Sequence, residues 1–136
     1  ISIKERSTNY TAARMRDIQA IQIRIGAAGA RIDAARRIIR GEFVEAQEIA
    51  NRNEVPDLET KLRCKRDVAY AVNLCTEAVD ILHALAGANG IYDTYPIQRI
   101  FRDAHSGSSH FLLGSDLQFT NWGFSALGGE VANPLL

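Results

Sequence analysis

The chain has 136 residues, 46% hydrophobic and 24% charged, with sixteen basic and sixteen acidic side chains and no net charge. That balance suits one globular domain with its own core and excludes an intrinsically disordered chain. No uninterrupted apolar run approaches the roughly 20 residues of a membrane span, and the basic side chains lack the interleaved aromatics of a nucleic-acid platform. Neither a membrane nor a nucleic-acid partner is expected.

The sequence opens at Ile1 in mid-pattern, without Met or a signal segment. It reads as one domain, residues 1–136, cut from a larger protein. The first predicted long helix covers residues 11–40. Its apolar stripe is Ile18, Ile21, Ile25, Ala28, Ile32, Ala35 and Ile39, in alternating steps of three and four. Gly26, Ala30 and Ala34 form a small-residue face that would let another helix approach closely. Gly41 is the expected stop, with a short amphipathic helix over 42–52 and a break at Pro56.

The second long helix is expected from a capping signal at Asp57 to a stop at Gly87. It has two apolar stripes: Val68, Val72, Cys75, Val79, Leu82 and Ala86, and beside them Ala71, Leu74, Ala78, Ile81 and Leu85. A helix apolar on two sides lies between neighbours, so this one is predicted to be central. Cys64 and Cys75 are the two cysteines. Eleven residues apart on a helix, they would stand about 16 Å apart, too far for a disulfide. Two free thiols imply a reducing, cytoplasmic setting.

After a glycine-rich loop over 87–95, Pro96 suits a first helical turn. A third long helix is expected over 96–124, with Ile97, Phe101, Ala104, Ser108, Phe111, Ser115, Phe119 and Trp122 on one face. On that helix Gly107 and Gly114 would flank His110 one turn to either side, leaving a shallow slot beside a titratable ring. Close helix packing would explain the same glycines. No spacing of His, Cys or carboxylates suggests a metal. Arg99, Arg102 and Asp103 read as a charge network, with Arg102 and Asp103 about 100° apart and needing separate partners. The fold class is therefore all-α, an up-down bundle supplying three long helices of a four-helix bundle. The missing helix would precede Ile1, with ISIKER as its last turn.

Residues 19–36, QAIQIRIGAAGARIDAAR, and residues 71–104, AVNLCTEAVDILHALAGANGIYDTYPIQRIFRDA, resemble the C-terminal helical domain of the acyl-CoA dehydrogenase superfamily. The most specific positions are Gly87, Ala88, Asn89, Gly90, Tyr92, Pro96, Arg102 and Asp103. Ala88 departs from the second glycine usual in that family. Acyl-CoA dehydrogenases commonly place a catalytic Glu nine residues after this Arg, where Phe111 stands here. Two-component flavin-dependent monooxygenases, including aromatic hydroxylases and dibenzothiophene oxygenases, place a His eight residues after it, which is His110.

The resemblance implies a monooxygenase in which a separate flavin reductase supplies reduced FMN or FAD. Oxygen would pass to a small, aromatic substrate. It further implies catalysis by His110, as a base or hydrogen-bond partner, and a slot for the flavin or substrate at Gly107 and Gly114. Flavin contacts would come from Gln19, Gly87, Ala88, Asn89 and Gly90, often across a subunit boundary in a homotetramer. An acyl-CoA dehydrogenase-like enzyme with its base elsewhere, and a helical assembly module without chemistry, are the alternatives.

Overall fold

A computed structural model describes residues 13–132. The segment expected to end a preceding helix, residues 1–6, and the last four residues lie outside the described residues. The described part contains four α-helices: α1 (Gln19–Asn51), α2 (Leu58–Ala86), α3 (Pro96–Ser108) and α4 (Ser115–Ala126), with short 3₁₀ turns at Met15–Asp17, Gly87–Ile91 and Phe111–Leu113. The all-α expectation holds.

Helix α1 runs through Gly41, which was expected to end it. Glycine inside a helix costs about 1 kcal/mol relative to alanine, but it stops a helix only where the backbone turns left-handed, and Gly41 does not. Glu42 and Glu45, just beyond it, both pair with Arg63 of α2, at 3.1 and 2.5 Å. Tertiary contacts thus carry the helix another ten residues. It ends where Asn53 adopts φ 54, a conformation asparagine tolerates well.

Helix α2 has the expected bounds. The Asp57 carboxylate accepts a 2.8 Å hydrogen bond from the Thr60 amide, an N-cap that satisfies one of the otherwise orphaned donors. At the other end Gly87, at φ 59, takes the chain out of the helix. Ion pairs to α1 fix an antiparallel register, with Arg31 on Glu77 at 2.7 Å and Arg63 on Glu42 and Glu45. Leu62, Ala69, Ala71, Ala78 and Leu85 are buried along α2, and Ala28 and Ala35 along α1. Small side chains at these contacts let the helix axes approach closely. The stretch Leu58–Ile91 is long and apolar enough on average to cross a membrane, which the run-length reading missed. It packs against α1, α3 and α4, yet only 22% of that apolar window is buried within the described residues.

The third long helix is broken. Helix α3 ends at Ser108, and α4 begins only at Ser115. The local hydrogen bonds accompany this: the hydroxyls of Ser108 and Ser109 donate to the His105 carbonyl, at 3.1 and 2.8 Å, beside the last helical bond from the Ser109 amide, and the His110 amide turns instead to the Gly107 carbonyl at 3.1 Å. Such serine side chains offer the backbone an alternative to continuing the helix, and Gly107 adds no side-chain packing to oppose it. The break also shifts the apolar phase. Ile97, Phe101, Ala104 and Ser108 are half-buried as expected, whereas Phe111 and Phe119 are exposed and Gln118 is buried.

Candidate functional site

The break between α3 and α4 carries His110. The helix on which Gly107 and Gly114 would flank it does not exist there: His110 has an extended backbone (φ −65, ψ 132) and precedes the Phe111–Leu113 turn. Its ring is exposed. Nδ1 accepts a hydrogen bond from the Leu112 amide at 3.3 Å, so in the neutral imidazole the proton sits on Nε2. That leaves Nε2–H as the donor edge of the ring.

The two glycines open in different directions. Gly107 lines an apolar groove of about 680 Å³ between α1, α2 and α3, with Ile32, Ile39, Val72 and Leu113 among its walls. Gly114 lines a smaller polar cleft of about 360 Å³, with Asn73, Glu77, Asp80 and Asp116. The turn that follows His110 is the wall between them, since Leu113 faces both. The single slot expected over the imidazole is absent: the glycines line two separate openings, and His110 itself lines neither.

Below the break, sequence reasoning missed a stack that docks α3 on α2. His83 and Phe101 lie with ring centroids 4.2 Å apart, Phe101 and His105 4.4 Å apart, and His105 Nε2 meets Asp80 Oδ1 at 2.7 Å. The signal was present as Asp80-x-x-His83 on one helix and Phe101-x-x-x-His105 on the next, spacings that place each pair on one face. The stack also explains Gly90. A Cβ there would stand 2.9 Å from His83 Nε2, so the buried Gly90 backbone lies against the imidazole. Both glycines of this turn therefore have structural grounds: Gly87 for its left-handed φ, Gly90 for the His83 contact.

The remaining expected flavin contacts fall at one end of the bundle. Gln19 is the first residue of α1 and exposed. The α1/α2 register brings the start of α1 level with the end of α2, where the Gly87–Ile91 turn lies. Gly87 and Ala88 are exposed, and the space beside Gly87 is open, although the Gly87 N–H is already donated to the Ala84 carbonyl. Asn89 is half-buried and accepts a 3.3 Å bond from Tyr92 N through its carbonyl. His110 lies elsewhere. The His105–Asp80 pair puts it near the level of Cys75, about 20 Å along α2 from that turn. One copy of the chain does not bring His110 and the turn residues together.

Among the described residues no cluster of His, Cys, Asp and Glu could hold a metal ion. Cys64 and Cys75 are both free. Burial, reinforced by Glu42, pushes the Cys64 thiol up to about 11, which leaves it protonated and inert. Of the expected charge network, Asp103 pairs with Arg99 at 3.3 Å, one turn away.

The family described as "Acyl-CoA dehydrogenase, C-terminal domain" matches residues 2–114. The chain belongs to that family. Within it, the chain is 31% identical over 133 residues to the oxygenase component of p-hydroxyphenylacetate 3-hydroxylase from Acinetobacter baumannii, covering 95% of this chain and 32% of that protein. It is 30% identical over 122 residues to the oxygenase component of an FADH2-dependent resorcinol hydroxylase from Rhizobium sp. (strain MTP-10005), covering 86% of this chain and 30% of that one. Among solved structures, XiaF from Streptomyces sp., in complex with FADH2 and glycerol, superposes with a TM-score of 0.90 at 26% identity. That match covers 97% of this chain and 34% of XiaF. The chain thus spans about a third of the length of the relatives it matches.

Proposed function

We propose that this domain is the C-terminal part of the oxygenase component of a two-component flavin-dependent monooxygenase acting on a small aromatic substrate. The observation that carries this reading is the residue pair at the α3–α4 break. Phe111 occupies the place of the Glu that abstracts a proton in acyl-CoA dehydrogenases, and His110 presents an exposed imidazole, held at Nδ1 by the Leu112 amide, at the start of the turn whose Leu113 lines two openings. The hydroxylase relatives, similar over nearly the whole chain, support the same branch.

Bound reduced flavin would supply the two electrons that, with O₂, place one oxygen atom on the substrate and release the other as water. The resorcinol hydroxylase is FADH2-dependent and XiaF binds FADH2, which favours FADH2 over reduced FMN here. The chain's own residues have narrower tasks. His110 offers Nε2–H to an oxygen atom in the site and passes or withholds a proton there. Exposed Phe111 and half-buried Leu113 supply apolar surface near it that a bound substrate or a second copy would cover, and water would be excluded only then. Gln19 and residues 87–90 hold flavin at the other end of the bundle. The separation of about 20 Å along α2 fits a site completed by a second copy, as in a homotetramer. Exposed Phe43, Phe124 and Leu127 are surface such an assembly would cover. A separate reductase supplies the reduced flavin, and the free thiols fit a cytoplasmic setting.

The test uses the full-length protein. Given reduced flavin by a reductase, air and a phenol, it should form hydroxylated product. Under anaerobic conditions acyl-CoA thioesters should leave its oxidised flavin unbleached. Bleaching by any acyl-CoA would move the protein to the dehydrogenase branch.

A further inference from the structure

Gln118 stands out against the rest of the core. It is only 2% exposed, and among the described residues it is the one buried polar side chain. A carboxamide in such surroundings costs free energy unless it is hydrogen-bonded. Its bond does not go to a neighbouring helix. Gln118 Nε2 donates to the carbonyl of Leu112 at 3.0 Å, across the break, on the residue whose amide holds His110.

The peptide groups on both sides of Leu112 are thereby fixed from two directions. Its N–H points at His110 Nδ1, and its C=O is held by Gln118. The turn between is closed by the Leu113 amide on the His110 carbonyl at 2.8 Å and the Gly114 amide on the Phe111 carbonyl at 3.3 Å. Gln118 is itself anchored in α4, its amide donating to the Gly114 carbonyl at 3.2 Å. His110 and Leu112 are both exposed, so without this bond the turn would rest on its own short hydrogen bonds, which are weak in 3₁₀ geometry.

We propose that Gln118 is the positioning residue of His110: through Leu112 it holds the imidazole in one orientation with the proton on Nε2. Its hydrogen bonds go to Leu112 and Gly114, so it acts on His110 only through the turn. The inference rests on the monooxygenase reading for its consequence in catalysis, and on the hydrogen bonds alone for its geometry. A second-sphere bond of this kind keeps a catalytic group within the narrow range that the reaction tolerates.

Three variants of the full-length enzyme test it: Gln118→Met, of similar volume without a donor, Gln118→Glu, of the same shape with an acceptor facing the carbonyl, and His110→Ala. Ring-nitrogen NMR of ¹⁵N-histidine-labelled protein, with His110 assigned by its loss in His110→Ala, should show one fixed tautomer in the natural sequence. Both Gln118 variants should give a ring exchanging between tautomers. The ratio of product to hydrogen peroxide should fall roughly 10- to 100-fold in them, the range for a catalytic group displaced by about 1 Å. In the His110→Ala background the Gln118 substitutions should cause no further fall, because residues acting as a unit are not additive. Melting temperatures identify which Gln118 variant is folded well enough to read.

An unchanged His110 ring signal in a folded Gln118 variant overturns the proposal whatever the activity. A changed ring with intact coupling, where His110→Ala does uncouple, overturns the positioning role while leaving the functional reading standing. Intact coupling in His110→Ala itself removes the catalytic role of His110, and that of Gln118 with it, while the oxygenase reading stands or falls on product formation by the natural sequence.

Discussion

The α1/α2 hairpin is built from alanine-rich sequence and the α3–α4 arm from sequence rich in serine, glycine and aromatic residues, and they solve different problems. The hairpin is two unbroken helices of 33 and 29 residues, clamped by ion pairs that bridge its length and by buried small side chains. The arm is two helices of 13 and 12 residues, separated by a turn whose side chains are mostly exposed. Continuous hydrogen bonding makes the hairpin a platform. Breaking the helix gives the arm a histidine outside any helix, with its backbone amide bonds redirected to hold a ring. On the proposed function, stability and chemistry fall to separate parts of one small fold, and substitutions in the two parts should separate accordingly.

The largest effect belongs to the arm. In the full-length enzyme His110→Ala should lower product formation by roughly 10²–10⁴-fold, the range for a lost acid–base group. Affinity for reduced flavin should change little, peroxide release should persist, and the melting temperature should stay within a few degrees because the ring is exposed. A large drop in melting temperature with an intact oxygenation rate in the folded fraction would make His110 structural and erase the contrast between the regions.

The hairpin should behave in the opposite way. Leu62 is the largest fully buried side chain, at 1% exposure. Leu62→Ala should destabilise the protein by about 2–5 kcal/mol, as core leucines do when truncated, while the folded fraction keeps its product-to-peroxide ratio. Urea unfolding and a coupling assay on the same preparation decide this. Gly90→Ala tests the junction between the regions. The added methyl would press on the His83 ring, already stacked on Phe101, and should cost about 1–3 kcal/mol, as overpacking typically does. His83→Ala in the same protein should relieve most of that loss. If Gly90→Ala is neutral for stability yet weakens flavin binding, the glycine serves the cofactor and not the stack.

The same contrast explains what could be read in advance. The hairpin was legible because its information is periodic: stripes at steps of three and four, a cap at Asp57, a stop at Gly87. Gly41 was misread because ion pairs to Arg63, invisible in the local sequence, carry the helix past it. The arm was legible only as an apolar face. Its break is accompanied by two serine hydroxyls choosing the His105 carbonyl, and no periodicity reports that choice. His110 was singled out from glycine spacing on a helix that is absent there, and resemblance to a family reached the same residue. Gln118 was invisible, because its burial follows from the phase shift that the break introduces. The His83–Phe101–His105–Asp80 stack had its spacings in the sequence, but only the packing of α3 on α2 joins the two halves.

The smallest expected effect is at the turn joining α1 to α2, and it sharpens the view of the hairpin as pure scaffold. The Thr60 amide bonded to the Asp57 carboxylate, with help from the Thr60 side chain, holds that carboxyl below its ordinary value of 3.8. A carboxyl lowered in the folded state contributes stability that is fully present above the unfolded value and is lost as pH falls through the folded one. Asp57→Asn keeps a good N-cap but removes the titration. Unfolding curves of the two proteins should therefore differ by a small, constant amount from neutral pH down to about pH 4, and the advantage of the natural carboxylate should vanish below that. Coupling of oxygenation should be unaffected at every pH where both are folded. A difference that instead grows as pH falls would place a second titrating group at this turn, and the hairpin would no longer be a platform indifferent to protons.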